Sequence, residues 1–379
     1  MQVEQRIWTQ QAGWETITHS TLEQPAQLVI VFGSRKLLSD SNKFEALRQK
    51  YPQAHILMNT TAGEIYDSCV VDDTLVVTAI HFEHTGIKVV NTNVNEVPDS
   101  RMAGKLLSDQ LDKTNLSHVF VISDGLKVNG SELVIGLHAN IPAHVPVTGG
   151  LAGDGSEFQQ TLVGINSPPQ EGNIVVIGLY SARLLVGYGS VGGWDAFGPE
   201  RIITKASSNI LYELDNQSAL DLYKTYLGDE AKGLPSTGLL FPLTIQTEDS
   251  EHPIVRTILA IDEEAKTMTF AGDMPEGAVV RLMKANFESL IAGAGESAEH
   301  SLKAIHAGEA KLAICISCVG RKLVLGQRID EEVEEVRDIL GESAVITGFY
   351  SYGEISPFLP NAKCELHNQT MTITVLAEK

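Results

Sequence analysis

Short glycine–acid pairs follow apolar segments at three places in the sequence. Gly63-Glu64 and Gly353-Glu354 each precede an isoleucine, and Gly153-Asp154 is a looser third copy. A glycine before an acid at the end of a strand gives a tight turn that directs one carboxylate. Ordinary strand-end turns use the same residue pairs, so this interpretation stays open. The shared isoleucine and the preceding apolar segment favour an internal duplication.

Cys315 and Cys318 form a CxxC pair inside the apolar segment KLAICISCV. This segment predicts a strand, in which side chains three residues apart point to opposite faces of the sheet. Such a pair cannot readily share a zinc ion or form a disulfide, and Cys69 and Cys364 are isolated in the sequence. We therefore expect buried thiols, with one of the pair, Cys318, at a ligand pocket.

A third polar cluster is His367-Asn368, at the start of a predicted strand shortly after Gly353-Glu354. The two clusters are expected to converge, where they would orient a ligand or supply an axial nitrogen to iron. Hydrogen bonds among the polar groups of a strand edge are the alternative. His138, on the predicted helix ELVIGLHAN, could also face a cavity, although a hydrogen-bonded core or surface histidine gives the same pattern.

Motifs for nucleophilic catalysis and for nucleotide binding are missing from the sequence. No G-x-S-x-G segment occurs, and residues 187–192 match G-x-G-x-x-G without a following helix. The remaining catalytic hypothesis is an enzyme with Glu64 and Glu354 as an acidic pair across a cleft. A scaffold without any ligand is a further alternative. We expect no enzymatic activity.

The chain has 379 residues and a formal net charge of −20, with 48 acidic and 28 basic side chains. Such a surface repels phosphate backbones and anionic lipids, so nucleic acid and membranes are not expected partners. The first residues show no secretory signal, and no apolar run is long enough to cross a bilayer. Four cysteines do not form a disulfide framework in a chain of this length, which favours a cytoplasmic location.

Hydrophobic periodicity predicts strands and helices in mixed order. Strands are expected at 27–32 and 74–81, with 86–93 as the hairpin partner of the second. Asp40 or Ser41, Asn129 and Asn216 are expected to cap helices. The polar stretch 228–237 predicts a linker between domains at 1–227 and 238–379. The expected fold class is α+β, or mixed α/β, with two sheet-containing domains of largely antiparallel strands and flanking helices.

These residues together resemble the FIST family, in which FIST N and FIST C regions are paired. The resemblance covers most of the chain, from about Leu28 to Leu376. Its most specific parts lie in the second half, at 315–321, 348–357 and 366–372. The first half matches more loosely, at 61–65, 123–125 and 149–154.

The resemblance implies a sensory, ligand-binding protein without catalytic output. Stand-alone members resemble bacterial haemoproteins that sense nitric oxide and regulate a separate histidine kinase or cyclic-di-GMP enzyme in two-component signalling. This implies non-covalent haem b, with His367 or His138 as axial ligand. The rival within the family is a small polar ligand such as an amino acid. Its ammonium would meet Glu64, Asp154 or Glu354, and its carboxylate would meet Arg321.

Overall fold

Three units of similar topology follow one another along the chain in the computed structural model, which describes residues 1–18, 21–247, 253–305, 309–358 and 363–379. The first unit contains β1 Gln2–Thr9, β2 Gly13–Thr16, β3 Leu28–Gly33, α1 Arg35–Leu38, α2 Ser41–Lys50, β4 His55–Thr60, β5 Glu64–Tyr66, β6 Cys69–Val71 and β7 Leu75–His81. The second contains β8 Gly86–Asn93, a 3-10 helix Val94–Glu96, α3 Ser100–Gln110, β9 Leu116–Ser123, α4 Gly130–His138, β10 Val147–Leu151, β11 Val163–Ile165 and β12 Asn173–Tyr180.

The third unit is interrupted after its first strand, β13 Leu184–Val191. The interruption, which we call the inserted module, contains β14 Asp195–Ser207, β15 Ile210–Leu214, β16 Gln217–Ser218, α5 Ala219–Leu227, 3-10 helices Gly228–Gly233 and Ser236–Leu240, β17 Leu243–Gln246, β18 Ile254–Arg256, β19 Ile258–Asp262, β20 Thr267–Phe270 and β21 Val279–Lys284. The unit resumes with α6 Phe287–Ala304, β22 Leu312–Cys318, α7 Val319–Leu325, a 3-10 helix Gly326–Arg328, α8 Ile329–Leu340, β23 Val345–Ser351, β24 Gly353–Pro357, β25 Cys364–His367 and β26 Met371–Glu378.

Each unit is built around one parallel strand pair, β3 with β4, β9 with β10, or β22 with β23. An antiparallel strand, β7, β12 or β26, lies beside the first strand of each pair. The outer strands are exchanged between units in a cycle. Strands β5 and β6 complete the sheet of the third unit, β11 that of the first, and β24 and β25 that of the second. The three sheets are thereby interlocked.

The continuous apolar strands are covered on both faces. In β3, Ile30 and Phe32 belong to one buried cluster, whereas Val29 and Val31 belong to another that includes the apolar side of α2. The cluster that contains Phe32 also receives side chains from β9 and β22. The inner faces of the three sheets therefore share one central core. This arrangement explains why the parallel strands lack polar alternation.

The structure confirms the mixed α/β class, the largely antiparallel sheets and the internal duplication. Asp40 and Asn129 cap α2 and α4 as predicted. The cap predicted at Asn216 is wrong, since Ser218 caps α5 after a short strand. The hairpin predicted for β7 and β8 is also wrong. Strand β8 pairs with β12 instead, because each unit begins a new sheet at its first strand.

The inserted module forms its own sheet and buried core. The stretch 228–237, predicted as a linker, lies within it and carries most of its two 3-10 helices. Strands from both halves of the sequence share sheets, since β5 pairs with β23 and β10 pairs with β24. Within the described part of the chain, no helix is long and apolar enough to cross a membrane.

Candidate functional site

The three glycine–acid turns occupy equivalent places, where β4, β10 and β23 end and the chain crosses to a neighbouring sheet. Backbone hydrogen bonds join each crossing segment to the next unit. The Ala62 amide donates to the Tyr350 carbonyl (2.8 Å), Tyr352 donates to Leu151 (3.2 Å), and Gly153 donates to the Thr60 carbonyl (3.0 Å). The sequence echo therefore marks a structural repeat of the fold.

Glu64 is buried and hydrogen-bonded within its own unit. One carboxylate oxygen accepts from the Thr61 hydroxyl, and the other accepts from the Thr74 hydroxyl (2.7 Å) and amide (3.1 Å). These bonds close the loop between β4 and β7. The side chain is 1% exposed and does not line the cavity described below.

Glu354 repeats this arrangement in the third unit. It accepts from the Ser351 hydroxyl (2.6 Å) and from the Thr370 hydroxyl (2.9 Å) and amide (3.3 Å). Glu354 lies opposite His367 in the β24–β25 pair, so the predicted convergence of these two clusters is present. Through Thr370, this carboxylate fixes the end of the loop that carries Asn368.

Burial raises the pKa of Glu64 to about 7 and that of Glu354 to about 8. Both carboxyls bind protons more tightly in the folded chain than in the unfolded chain. Their protonation contributes to stability fully below about pH 4.5, and this contribution is lost as the pH rises through 7 and 8. Each unit by which the folded pKa exceeds the unfolded pKa corresponds to about 1.4 kcal/mol of unfolding free energy.

The double substitution Glu64→Gln and Glu354→Gln is accordingly expected to flatten the decline of unfolding free energy between pH 5 and pH 8. Urea unfolding of wild type and variant across this range measures the difference. Glu264→Gln, at an exposed position, is the matched control and should leave the decline unchanged. Parallel pH profiles for wild type and the double variant would contradict the assignment.

Asp154 has different partners from the other two acids. It accepts from the Tyr352 hydroxyl, from the Arg35 guanidinium (3.0 Å) and from the backbone amides of Gln159 and Gln160. These contacts hold the loop between β10 and β11 against both neighbouring units. The three acids therefore serve three separate loops and do not meet at one site.

Arg321 is fully buried and forms an ion pair with Glu332 at 2.7 Å. Its guanidinium also donates to the carbonyls of Gly192 (2.5 Å) and Leu290 (2.8 Å). Gly192 immediately precedes the inserted module and Leu290 lies in the first turns of α6, which follows it. Arg321 thus joins the two chain connections of the module and does not line the cavity.

A cavity of about 380 Å³ lies where the second unit, the third unit and the inserted module meet. The second unit supplies residues 125–130, the third supplies 318–320, and the module supplies 270–273. Cys318 and Asn368 are the two predicted site residues among its lining residues. Gly63, Gly153 and Gly353 lie in the crossing segments, outside this lining.

The buried wall of the cavity carries polar groups without partners. Asn368 is 1% exposed, and neither atom of its side-chain amide has a hydrogen-bond partner among the described residues. The hydroxyl of Thr257, 5% exposed, is in the same state. Buried polar groups are nearly always paired, by protein, water or ligand. The wall of the cavity therefore contains two buried polar side chains without a partner among the described residues.

Apolar side chains surround the mouth of the cavity. Leu126, Phe158 and Leu259 are each more than 40% exposed, which is unusual for large apolar residues that share one patch. The ring of Phe158 stacks on that of Tyr352 with centroids 4.5 Å apart. Lys127, also at the cavity, is already paired with Glu171 at 2.5 Å. The site combines apolar walls with neutral polar groups and with two charged residues, Lys127 and Asp273.

The CxxC pair lies on β22, as predicted, and all four cysteines are free. Cys315 belongs to the core, whereas Cys318 reaches the cavity. Burial raises the pKa of the Cys318 thiol well above its ordinary value. No group of three metal-ligating side chains occurs among the described residues.

The two candidate haem ligands do not fit a haem site. His367 is 1% exposed, and its Nε2 is 2.8 Å from the Ser356 carbonyl. Burial lowers the pKa of this imidazole to about 4. His138 lies at a separate space of about 20 Å³, far too small for a macrocycle. Neither histidine is among the residues that line the 380 Å³ cavity.

The cavity wall contributed by the inserted module, including Thr257, Leu259 and Phe270, was not predicted from the sequence. A usable signal was the strand-rich segment between β13 and α6, which has no counterpart in the first two units. Comparing the units with one another would have marked that segment as an addition.

Comparison with known families agrees with these features. The FIST N domain model matches residues 27–217, and the FIST C domain model matches residues 219–357. The chain belongs to the FIST family. FIST domains are sensory domains that bind small ligands. No curated protein matches this FIST chain.

Among solved structures, the FIST chain is similar to cyanuric acid hydrolase from A. caulinodans. The two share 9% identity with a TM-score of 0.34, over 94% of this chain and 90% of that chain.

Proposed function

We propose that this FIST protein is a sensor without catalytic output, and that its ligand is a small polar molecule bound in the 380 Å³ cavity. The cavity carries this proposal, because its walls come from the second unit, the third unit and the inserted module and combine apolar with polar groups. A volume of 380 Å³ lies within the range of small-molecule sites. Apolar walls with few polar groups are also typical of such sites.

The two residues predicted to bind an amino acid are not available to a ligand. Arg321 and Glu354, which would bind the carboxylate and the ammonium, are used in internal bonds. Lys127 is neutralised by Glu171 at the surface. The deepest polar groups, those of Asn368 and Thr257, are uncharged. Asp273 adds a carboxylate to the lining, so a cationic group on the ligand would have a partner there.

The protonated thiol of Cys318, the cysteine in the cavity lining, supports the proposed absence of catalysis. The thiolate is the reactive form of cysteine, and burial disfavours it at Cys318. The glutamates of the acidic-pair hypothesis are separately hydrogen-bonded, and neither lines the cavity.

A ligand in this cavity would contact the inserted module, the second unit and the third unit at the same time. The module is connected to the third unit at 192–194 and at 285–286, beside carbonyls that Arg321 holds. Arg256 of the module also donates to the Leu366 carbonyl of the third unit at 3.0 Å. Contacts from the ligand to the module and to the two units would change the preferred position of the module. This change of position would be the signal.

Filling the cavity tests the proposal. Ala271 is a half-buried lining residue of the module, and Ala271→Phe would place a ring in the space for the ligand. A ligand at 100 times its dissociation constant adds about 2.7 kcal/mol to stability. In a thermal-shift screen of small metabolites, this stabilisation is expected in wild type and lost in Ala271→Phe.

Ala260→Phe, on the exposed side of the same module, is the matched control and should keep the full shift. A screen in which no metabolite stabilises the wild-type chain would count against a ligand site. So would equal shifts in wild type and Ala271→Phe.

A further inference from the structure

We infer that the ligand is an organic cation, an amine on an apolar body without a carboxylate, and that Asp273 binds its charged group. This inference rests on the proposed function, because it names the chemical class of the molecule in the same cavity. It goes further by assigning the charge of the ligand and the residue that recognises this charge.

Asp273 carries the one charge of the described cavity lining that has no ion-pair partner. The residue is half-buried, and its carboxylate has no hydrogen bond or ion pair among the described residues. The other charged lining residue, Lys127, is paired with Glu171 at 2.5 Å. A protonated amine would form a charge-assisted hydrogen bond with this carboxylate. The net charge of −20 also attracts cations to the chain and repels anions.

Arg256 lies close to Asp273 but forms no ion pair with it in the described part of the chain. Its buried guanidinium donates to the backbone carbonyls of Val255 (3.3 Å), Leu366 (3.0 Å) and Asp273 (3.5 Å). Burial lowers the pKa of Arg256 to about 10, and the negative charge of Asp273 opposes this change. Arg256 therefore holds the backbone at Asp273 and leaves the carboxylate without a bonded partner.

The apolar lining residues that remain accessible lie at the mouth of the cavity. Leu126, Phe158 and Leu259 are 41%, 44% and 46% exposed. Contact with these side chains would bury the hydrocarbon part of a ligand, which is favourable in proportion to the area removed from water. The face of an aromatic ring such as that of Phe158 also attracts cations. The accessible groups of the cavity thus suit an amine on an apolar body.

The backbone of Phe158 is held in a conformation that bulky residues rarely adopt, with a φ of +51°. Its ring stacks on that of Tyr352. The next two amides, of Gln159 and Gln160, donate to the Asp154 carboxylate at 2.9 Å and 2.8 Å, which fixes the chain directly after Phe158. Strained backbone conformations are concentrated at functional sites. The fold therefore presents this ring at the mouth of the cavity.

The test uses the full chain with 2-phenylethylamine and hexylamine, in isothermal titration or ligand-observed NMR at low ionic strength. The matched ligands are 2-phenylethanol and 1-hexanol, which have the same bodies without a charge, and 3-phenylpropionate, which has the opposite charge. Each amine is expected to bind about ten-fold or more tightly than its alcohol, because the ammonium gains a charge-assisted hydrogen bond. The anion should bind more weakly than the alcohol.

Asp273→Asn keeps the shape of the side chain and removes its charge. It is expected to weaken amine binding about ten-fold or more and to leave alcohol binding unchanged. A purely structural role would weaken both, so the ratio of the two affinities separates the two roles. Phe158→Ala should weaken amine and alcohol binding together, because apolar contact is lost. Glu264→Gln removes an exposed charge of the same module and should change neither affinity.

The two proposals fail in different ways. Equal binding of amine and alcohol in wild type, an unchanged ratio in Asp273→Asn, or no binding of either amine would overturn the cation inference. In the first two cases Ala271→Phe would still abolish binding, and the cavity would remain the ligand site. In the third case the thermal-shift screen would decide whether the cavity is a ligand site. Binding of any probe that survives in Ala271→Phe would overturn both proposals.

Discussion

Replacing Arg321 by methionine is expected to lower the free energy of unfolding by about 3–5 kcal/mol, the cost of leaving a buried charge without its partner. Arg321 and Glu332 are both fully buried, and their contact is 2.7 Å. Methionine has similar length but cannot bond to the carboxylate. Among the described residues, Glu332 would keep the hydroxyls of Tyr350 (2.6 Å) and Ser317 (3.2 Å) as its partners. Urea unfolding at neutral pH measures the change.

A double-mutant cycle separates the ion pair from simple loss of packing. Glu332→Met alone should also be strongly destabilising, whereas the double variant should cost less than the sum, since no uncompensated charge remains. Lys266→Met breaks the exposed pair with Asp221 and should cost less than about 1 kcal/mol. Additive effects of the two methionine substitutions would show that the buried charges are not coupled.

The Arg321→Met substitution is also expected to affect the ligand site. Arg321 donates to Gly192 and Leu290, which flank the two connections of the inserted module. Without these bonds the module is held less firmly over the cavity. Ligand binding must then fix a less restrained module, so more conformational entropy is lost on binding. We expect weaker ligand binding in Arg321→Met even at temperatures where the chain is fully folded. Lys266→Met should not share this effect.

Local features of the fold were predictable from the sequence. The buried strand at 28–33, the cap at Asn129 and the strand position of the CxxC pair each depend on residues within one element. The repeated glycine–acid turn was also visible, because each copy follows an apolar strand. Its role was not visible, since Glu64 and Glu354 bond to threonines ten and sixteen residues further along the chain.

Long-range features were not predictable in the same way. The exchange of outer strands between units depends on pairings such as β5 with β23, which join residues far apart in the chain. The cavity depends on three chain regions that meet in space. Asn368 was a candidate because of its sequence context, but only the structure shows that its amide lacks a partner among the described residues. Arg321, a candidate for the same reason, is sealed in an ion pair.

Gly149→Ala is expected to cost about 3–6 kcal/mol, because a positive φ and a backbone collision act together. Gly149 has a φ of +152°, and a Cβ atom there would lie 1.7 Å from the Val121 carbonyl oxygen. Strand β10 lies between β9 and β24, so it cannot move away from one partner without losing the other. The chain is expected to unfold at much lower urea concentration, if it folds at all.

The effect of Gly149→Ala should extend to the ligand site. Gly149 pairs with Ile355 on β24. Strand β24 in turn pairs with β25, and the chain continues from β25 to Asn368. Displacing β24 displaces that loop. Gly155→Ala is the control. Gly155 has a φ of +75°, but no atom lies within 4 Å of its Cβ position, so alanine should cost only about 1–2 kcal/mol. Equal stability of the two alanine variants would mean that β10 can shift in its sheet. The exchange of strands between units would then not hold the Asn368 loop in place.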